Sequence, residues 1–275
     1  MKQSILFIIP LLLALAPGLR AEDASPAAAP ISVEETQKVA EAGDSAAQYL
    51  LGELHNLGAG VRQSYAEALL WYRKAAEQGH RESQHMVGLL HYRGRGVQQN
   101  GAEAMKWFRR AAEQGFAESE HMLGIIYYRG LGVKQDLPEA VNWFEKAAER
   151  GYAGSEYMLG FLHQRGQGVT QSYADALAWY RKAAAQGFAG AESALGDMYR
   201  GGLGVTQDAA EALKWYRKAA EQDYAQAEYM LGEMYREGSG VTPDAAAAEK
   251  WYRRALAHGA DYARDALAKL GMGRK

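Results

Sequence analysis

The side chains best equipped for chemistry in this 275-residue chain are its seven histidines. Histidine titrates near neutral pH and ligates divalent metals, so a pair on one helix face would suit either task. His85 and His91 lie on one expected helix, but six residues apart they point to different faces. His55, His91 and His163 share one recurring slot with Tyr127, Tyr199 and Tyr235, as an aromatic packing position would. A metal site from any pair would need contacts between distant segments. No metal is expected. The sequence has no G-x-S-x-G, S-x-x-K, H-E-x-x-H or phosphate-binding loop, and no cysteine. No catalytic residue and no cofactor is expected, so the chain reads as a binding protein and not an enzyme.

The elements that would position a binding surface follow from periodicity. Trp71, Trp107, Trp143, Trp179, Trp215 and Trp251 stand 36 residues apart without an insertion or deletion. So do Gly52, Gly88, Gly124, Gly160, Gly196 and Gly232, and the valines Val61, Val97, Val133, Val169, Val205 and Val241. A period of this length marks a repeat architecture in which each unit buries its apolar face on its neighbours. The strictness of the register excludes a single-core globular domain.

One unit, Tyr152 to Gly187, shows what each copy does. Ser155, Leu159, Leu162 and His163 follow the 3.6-residue period of a helix. Gly166 and Gly168 stop it, and Val169 is expected to pin the loop into the core. Three residues after each loop valine stands Ser64, Asn100, Asp136, Ser172, Asp208 or Asp244, all good helix N-caps. Glu67, Glu103, Glu139, Asp175 and Glu211 lie three further on and suggest a capping box; Ala247 is the exception. Ala176, Trp179, Tyr180 and Ala183 form the stripe of the second helix. Glycine ends that helix except in the fifth unit, which has Asp223. Ala68, Ala104, Ala140, Ala176, Ala212 and Ala248 permit close helix approach.

The pattern A/S-x-x-x-L-G-x-x-Y/H-x-x-G-x-G-V-x-x-D/S/N-x-x-x-A-x-x-W-Y/F-x-K/R-A-A-x-x-G resembles the Sel-one-like repeat, a relative of the tetratricopeptide repeat. The resemblance covers residues 44–259 as six units: 44–79, 80–115, 116–151, 152–187, 188–223 and 224–259. It implies an all-α, right-handed superhelical α-solenoid of helix-turn-helix repeats, with the first helices lining a concave face. It also implies a scaffold that binds other proteins. Exported, cysteine-rich proteins with similar repeats are linked to penicillin binding or hydrolysis, and this chain lacks their cysteines. Residues 31–43 read as a half-repeat N-terminal cap, with Ser32 and Glu35 as its capping box. Residues 260–275 read as a C-terminal capping helix and tail, with Asp261, Arg264, Asp265 and Lys269 on its outer face.

Binding residues are sought where the frame is constant and the side chain varies. The residue after each repeat glycine runs Glu53, Leu89, Ile125, Phe161, Asp197 and Glu233. The charged members suggest that the position faces water, while units two to four carry apolar groups there. Positions four before and three after share its helix face. His85, Leu89, Tyr92, His121, Ile125, Tyr128, Tyr157 and Phe161 are therefore expected to form an apolar and aromatic patch. Arg93, Arg129 and Arg165 are expected to edge it. Apolar patches with polar rims mark interaction sites, and aromatic residues and arginine dominate their energetics.

Lys2 followed by the apolar run Ile5 to Ala16 reads as an export signal over residues 1–21. Residues 22–30 read as a flexible linker rich in alanine and proline. Without Lys2 and Arg20, 29 basic residues face 33 acidic ones, and nothing in this balance calls for nucleic acid or an anionic membrane. Arg109-Arg110 and Arg253-Arg254 read as solvated helix faces. The expectation is a periplasmic or secreted scaffold of the bacterial cell envelope, with a protein or peptide partner and no membrane insertion once the signal is removed. The alternative is a cell-wall- or glycan-directed binding protein or hydrolase. Self-association is left open.

Overall fold

Each repeat opens its second helix on a side chain that accepts a hydrogen bond from the third residue beyond it. Ser64, Asn100, Asp136, Ser172 and Asp208 accept from the backbone N–H of Glu67, Glu103, Glu139, Asp175 and Glu211 at 2.9–3.2 Å, and Asp244 from Ala247 at 3.0 Å. Every cap residue's own N–H is already spent on a carbonyl nine residues earlier, as in Ser172 N–H to His163 O at 3.0 Å. The expected capping box therefore forms only its first half. The freed carboxylates turn elsewhere: Glu103 and Glu139 accept from the indole N–H of Trp107 and Trp143 at 3.1 and 2.7 Å.

The computed structural model describes residues 32–272 as fourteen α-helices. The expected export signal (1–21) and linker (22–30) lie outside the described residues. Helix α1 (Val33–Glu41) precedes the first repeat. The first helices of the six repeats are α2 (Ser45–Leu57), α4 (Arg81–Arg93), α6 (Ala117–Arg129), α8 (Ala153–Arg165), α10 (Ala189–Gly201) and α12 (Ala225–Glu237). The second helices are α3 (Tyr65–Glu77), α5 (Gly101–Glu113), α7 (Leu137–Glu149), α9 (Tyr173–Ala185), α11 (Ala209–Glu221) and α13 (Ala245–Ala257). Helix α14 (Ala263–Met272) closes the array, with Asp261, Arg264, Asp265 and Lys269 exposed as expected.

The chain divides into two units, Met1–Ile126 with Gly130–Lys134, and Tyr127–Arg129 with Gln135–Lys275. In the first, helices α1 to α5 pack each on the next. In the second, α7 to α14 do the same. This nearest-neighbour packing is that of an α-solenoid.

Packing explains the repeat glycines. A Cβ on Gly160 would lie 2.6 Å from the ring of Tyr180, which is 1% exposed. Gly52, Gly88, Gly196 and Gly232 meet Tyr72, Phe108, Tyr216 and Tyr252 in the same way. The glycine lets a large ring lie against the helix backbone, and burying such a ring contributes about 1.5–3 kcal/mol. The small residues Ala68, Ala104, Ala140, Ala176, Ala212 and Ala248 are all fully buried. Val61, Val205 and Val241 pack on the clusters beside their loops, as expected for the loop valine.

A buried polar pair recurs inside the repeats. Gln78 donates its amide to Gln48 at 2.8 Å, and Gln114 donates to Gln84 at 2.8 Å. Gln48 and Gln84 pass on their own amide N–H to the carbonyls of Ala40 and Ala76 at the end of the preceding helix. In the fourth and fifth repeats the acceptors are Glu156 and Glu192, which have no N–H to give. Burial pushes both carboxyls above the ordinary range, against the hydrogen bonds from Gln186 and Gln222. A raised carboxyl binds its proton more tightly in the folded state, so these groups cost stability as pH rises through their folded values. Glu156→Gln restores the arrangement of the first two repeats. It is expected to raise the melting temperature at pH 7 and to leave it unchanged near pH 4. A melting temperature at pH 7 no higher than that of the wild type would contradict this account.

Asp223, where the other repeats have glycine, sits at φ 57°. Aspartate tolerates this left-handed region better than most residues. Arg254 Nη2 lies 3.0 Å from its carboxylate, and the same guanidinium reaches the fully buried Glu228 at 2.9 Å. Arg254 thus departs from the solvated face expected for Arg253-Arg254; Arg253 and both Arg109 and Arg110 are exposed.

Candidate binding surface

The histidine slot is structural, as its exchange with tyrosine suggests. His91 is 7% exposed, and burial lowers its pKa. In the same slot the hydroxyls of Tyr199 and Tyr235 accept from Arg181 and Arg217 at 2.9 and 2.7 Å. The structure does assemble Asp223, Glu228 and His258, with ligand atoms all within 4.8 Å of one another. His258 Nδ1 is 2.8 Å from Glu228. The guanidinium of Arg254 already lies against both carboxylates and supplies the positive charge a metal would bring, so this cluster is an internal ion-pair network.

The position after the repeat glycine has a partner that sequence reading missed. Glu53, Asp197 and Glu233 accept hydrogen bonds from the hydroxyls of Tyr72, Tyr216 and Tyr252, nineteen residues on in the second helix; the Asp197 bond is 2.6 Å. Glu53 is only 9% exposed, and burial raises its carboxyl against the Tyr72 bond. Charge at this position therefore marks a tyrosine partner as well as contact with water, since Asp197 and Glu233 remain partly exposed. Where Phe108 and Phe144 replace tyrosine, the position holds Leu89 and Ile125, which need no donor. In the fourth repeat Phe161 stands there, and the Tyr180 hydroxyl turns to Gln164 Oε1 at 2.7 Å. This exchange of acid with tyrosine for apolar residue with phenylalanine was legible at a separation of nineteen.

The position four residues earlier is a bridge between repeats. The His85 ring lies 5.4 Å from that of Phe108 and 5.2 Å from that of Phe116, and its Nδ1 is 2.8 Å from Ser119 Oγ. Tyr157 stacks likewise on Tyr180 and Phe188 at 5.8 and 5.3 Å. His85, His121 and Tyr157 are half-buried and belong in large part to the packing.

Leu89, Tyr92 and Ile125 in the first unit are half-buried, and so are Tyr128 and Phe161 in the second. None of the five is sealed in the interior. Arg93, Arg129 and Arg165 are exposed. Each unit thus carries its own share of a surface that combines partly exposed apolar side chains with exposed arginine.

Sequence and structure comparisons agree with this architecture. The Sel1 repeat model matches six consecutive segments: residues 45–80, 81–116, 117–152, 153–188, 189–224 and 225–259. No curated protein gives a significant match. Among solved structures, the chain resembles c5321, a protective antigen of uropathogenic Escherichia coli strains with an SLR fold. The TM-score is 0.79 at 35% identity, covering 87% of this chain and 51% of that one, so the chain spans about half the length of that relative. It resembles a Sel1 repeat protein from Oxalobacter formigenes with a TM-score of 0.74 at 32% identity, covering 82% of this chain and 88% of that one. The immunity protein Pa5087 from Pseudomonas aeruginosa shares the fold with a TM-score of 0.52 at 21% identity, covering 87% of this chain and 86% of that one. The chain belongs to the Sel1 repeat family, whose solenoid proteins are generally protein-interaction scaffolds.

Proposed function

We propose that this protein is a non-enzymatic adaptor of the bacterial cell envelope, exported through residues 1–21, that holds a partner protein or peptide on the face of its first helices. The observation that carries the reading is the half-exposed state of Leu89, Ile125 and Phe161 beside exposed Arg93, Arg129 and Arg165. A half-exposed apolar side chain gains burial when a partner covers it, and the neighbouring arginine supplies charge-assisted hydrogen bonds. Export rests on the sequence of residues 1–21 alone, with its single basic residue ahead of the apolar run.

The test is a pull-down from periplasmic extract with wild type beside Phe161→Asp. Phe161 is not part of the sealed core, so the variant is expected to keep its helical circular dichroism. It is expected to lose about 1–3 kcal/mol of partner affinity, roughly 5- to 150-fold. A variant that stays folded and retains every partner at wild-type affinity would refute the surface. Nitrocefin and cell-wall hydrolysis assays are expected to show no turnover.

A further inference from the structure

The fourth and fifth repeats enclose a cleft of about 330 Å³ that contains Phe161 and Arg165. We propose that this cleft is an acidic-residue subsite, which receives an aspartate or glutamate side chain from within an extended segment of the partner. The inference rests on the first-helix face being the binding surface and names what it recognises there.

The argument is a balance of donors and acceptors. The Arg165 guanidinium lies over the Phe161 ring, 4.5 Å from its centroid. Among the described residues it has no ion-pair or hydrogen-bond partner. The arginines near the ends of the next two first helices are committed. Arg200 faces Asp197 at 3.9 Å, and Arg236 is held by Glu233 and Glu237 at 2.7 and 2.6 Å. In the fourth repeat an aromatic residue replaces the acid after the glycine, so the cation is positioned by a ring and not neutralised.

Gln164 adds to the surplus. Its Oε1 accepts from Tyr180, which fixes the amide so that its N–H groups are the free end. Among the described residues they meet no acceptor. The Tyr157 hydroxyl, also in the cleft wall, is a further donor without a partner among the described residues. Against these stands one carboxylate, Asp197, with Oδ1 taken by Tyr216 at 2.6 Å. A guest that satisfies the cleft must bring an anionic, acceptor-rich group for Arg165 and Gln164, and an N–H for the remaining oxygen of Asp197. An acidic residue inside a polypeptide brings both, its side-chain carboxylate and a backbone amide. A planar carboxylate also matches the fork of the guanidinium.

The experiment is selection from a displayed random 12-residue peptide library, flanked on both sides so that no terminus is free. The baits are wild type, Arg165→Ala and Arg165→Glu. Arg165 is exposed, and circular dichroism checks that both variants fold. Wild type is expected to enrich peptides with a shared Asp or Glu. The leading peptide, made synthetically with blocked termini, is expected to lose affinity about tenfold or more toward Arg165→Ala. The same loss is expected when its acidic residue becomes the amide. Arg165→Glu is expected to select Lys- or Arg-containing peptides instead. Enriched peptides without an acidic excess, or the same peptides selected by Arg165→Glu, would overturn the subsite and leave the binding face standing. Failure to enrich any peptide would overturn both.

Discussion

Gly168→Ala is expected to destabilise the protein by about 2–5 kcal/mol, far more than a glycine-to-alanine change in an open loop. Gly168 has φ +74°, where a Cβ costs about 1–2 kcal/mol. That Cβ would also lie 2.7 Å from the backbone carbonyl carbon and oxygen of Leu137, the first residue of α7. Backbone cannot rotate away as a flexible side chain can, so overpacking adds about 1–3 kcal/mol. Gly187 provides the control within the same unit. It has φ +76° and nothing within 4 Å of a built Cβ, so Gly187→Ala should show the conformational cost alone. Urea unfolding of the two variants beside wild type separates the contributions. Equal losses would mean that the loop does not press on the preceding repeat.

The second large effect is acid lability of the first unit. Burial pushes His85 down to about 4, with Arg93 and His121 adding smaller repulsions, and burial alone pushes His121 down to about 4. Both must stay neutral in the folded state, whereas the unfolded chain takes up their protons near 6.5. The unfolded state therefore binds more protons between these values, and stability falls as pH drops from about 6.5 to about 4. At 1.36 kcal/mol per pH unit, the loss is on the order of 3 kcal/mol for each histidine. Tyr49, Tyr157 and Tyr229 fill the same helix position in other repeats, so His85→Tyr with His121→Tyr is a compatible replacement. The double variant is expected to flatten the stability profile between pH 6.5 and 4. A wild-type profile that is already flat there would contradict burial of the neutral rings. Within that window the buried carboxyls Glu156 and Glu192 act with the opposite sign: as pH falls through their raised values toward 4.5 they regain stability and offset part of the loss.

Local structure was legible because it depends on neighbours in sequence. The six N-caps, the glycine stops and the buried alanines follow from spacing within one repeat, and the structure has all of them. The capping box was misread because its donor is consumed nine residues upstream, by a loop closure that pairwise patterns do not show. The variable position faces water in part, as expected, but its second role was missed for a related reason. Glu53 and Asp197 look like solvent residues on their own helix, and their tyrosine partners lie on the next. Arg254 looked like surface charge because Asp223 and Glu228 reach it only through packing. The patch residues fared unevenly. Leu89, Ile125 and Phe161 remain accessible, whereas His85 and Tyr157 serve mainly to join repeats.

Each loop is clamped twice. A cap amide reaches back nine residues to a carbonyl of the first helix, and from the second repeat onward the second loop glycine rests on the opening of the previous repeat's second helix. One extra residue in such a loop would break the closure and lift the glycine off its seat. Length can then change only where both clamps are gained or lost together, which means by a whole module. Homologous chains should differ in length by multiples of one repeat, and a gene encoding such an array should grow by duplicating entire 36-residue blocks.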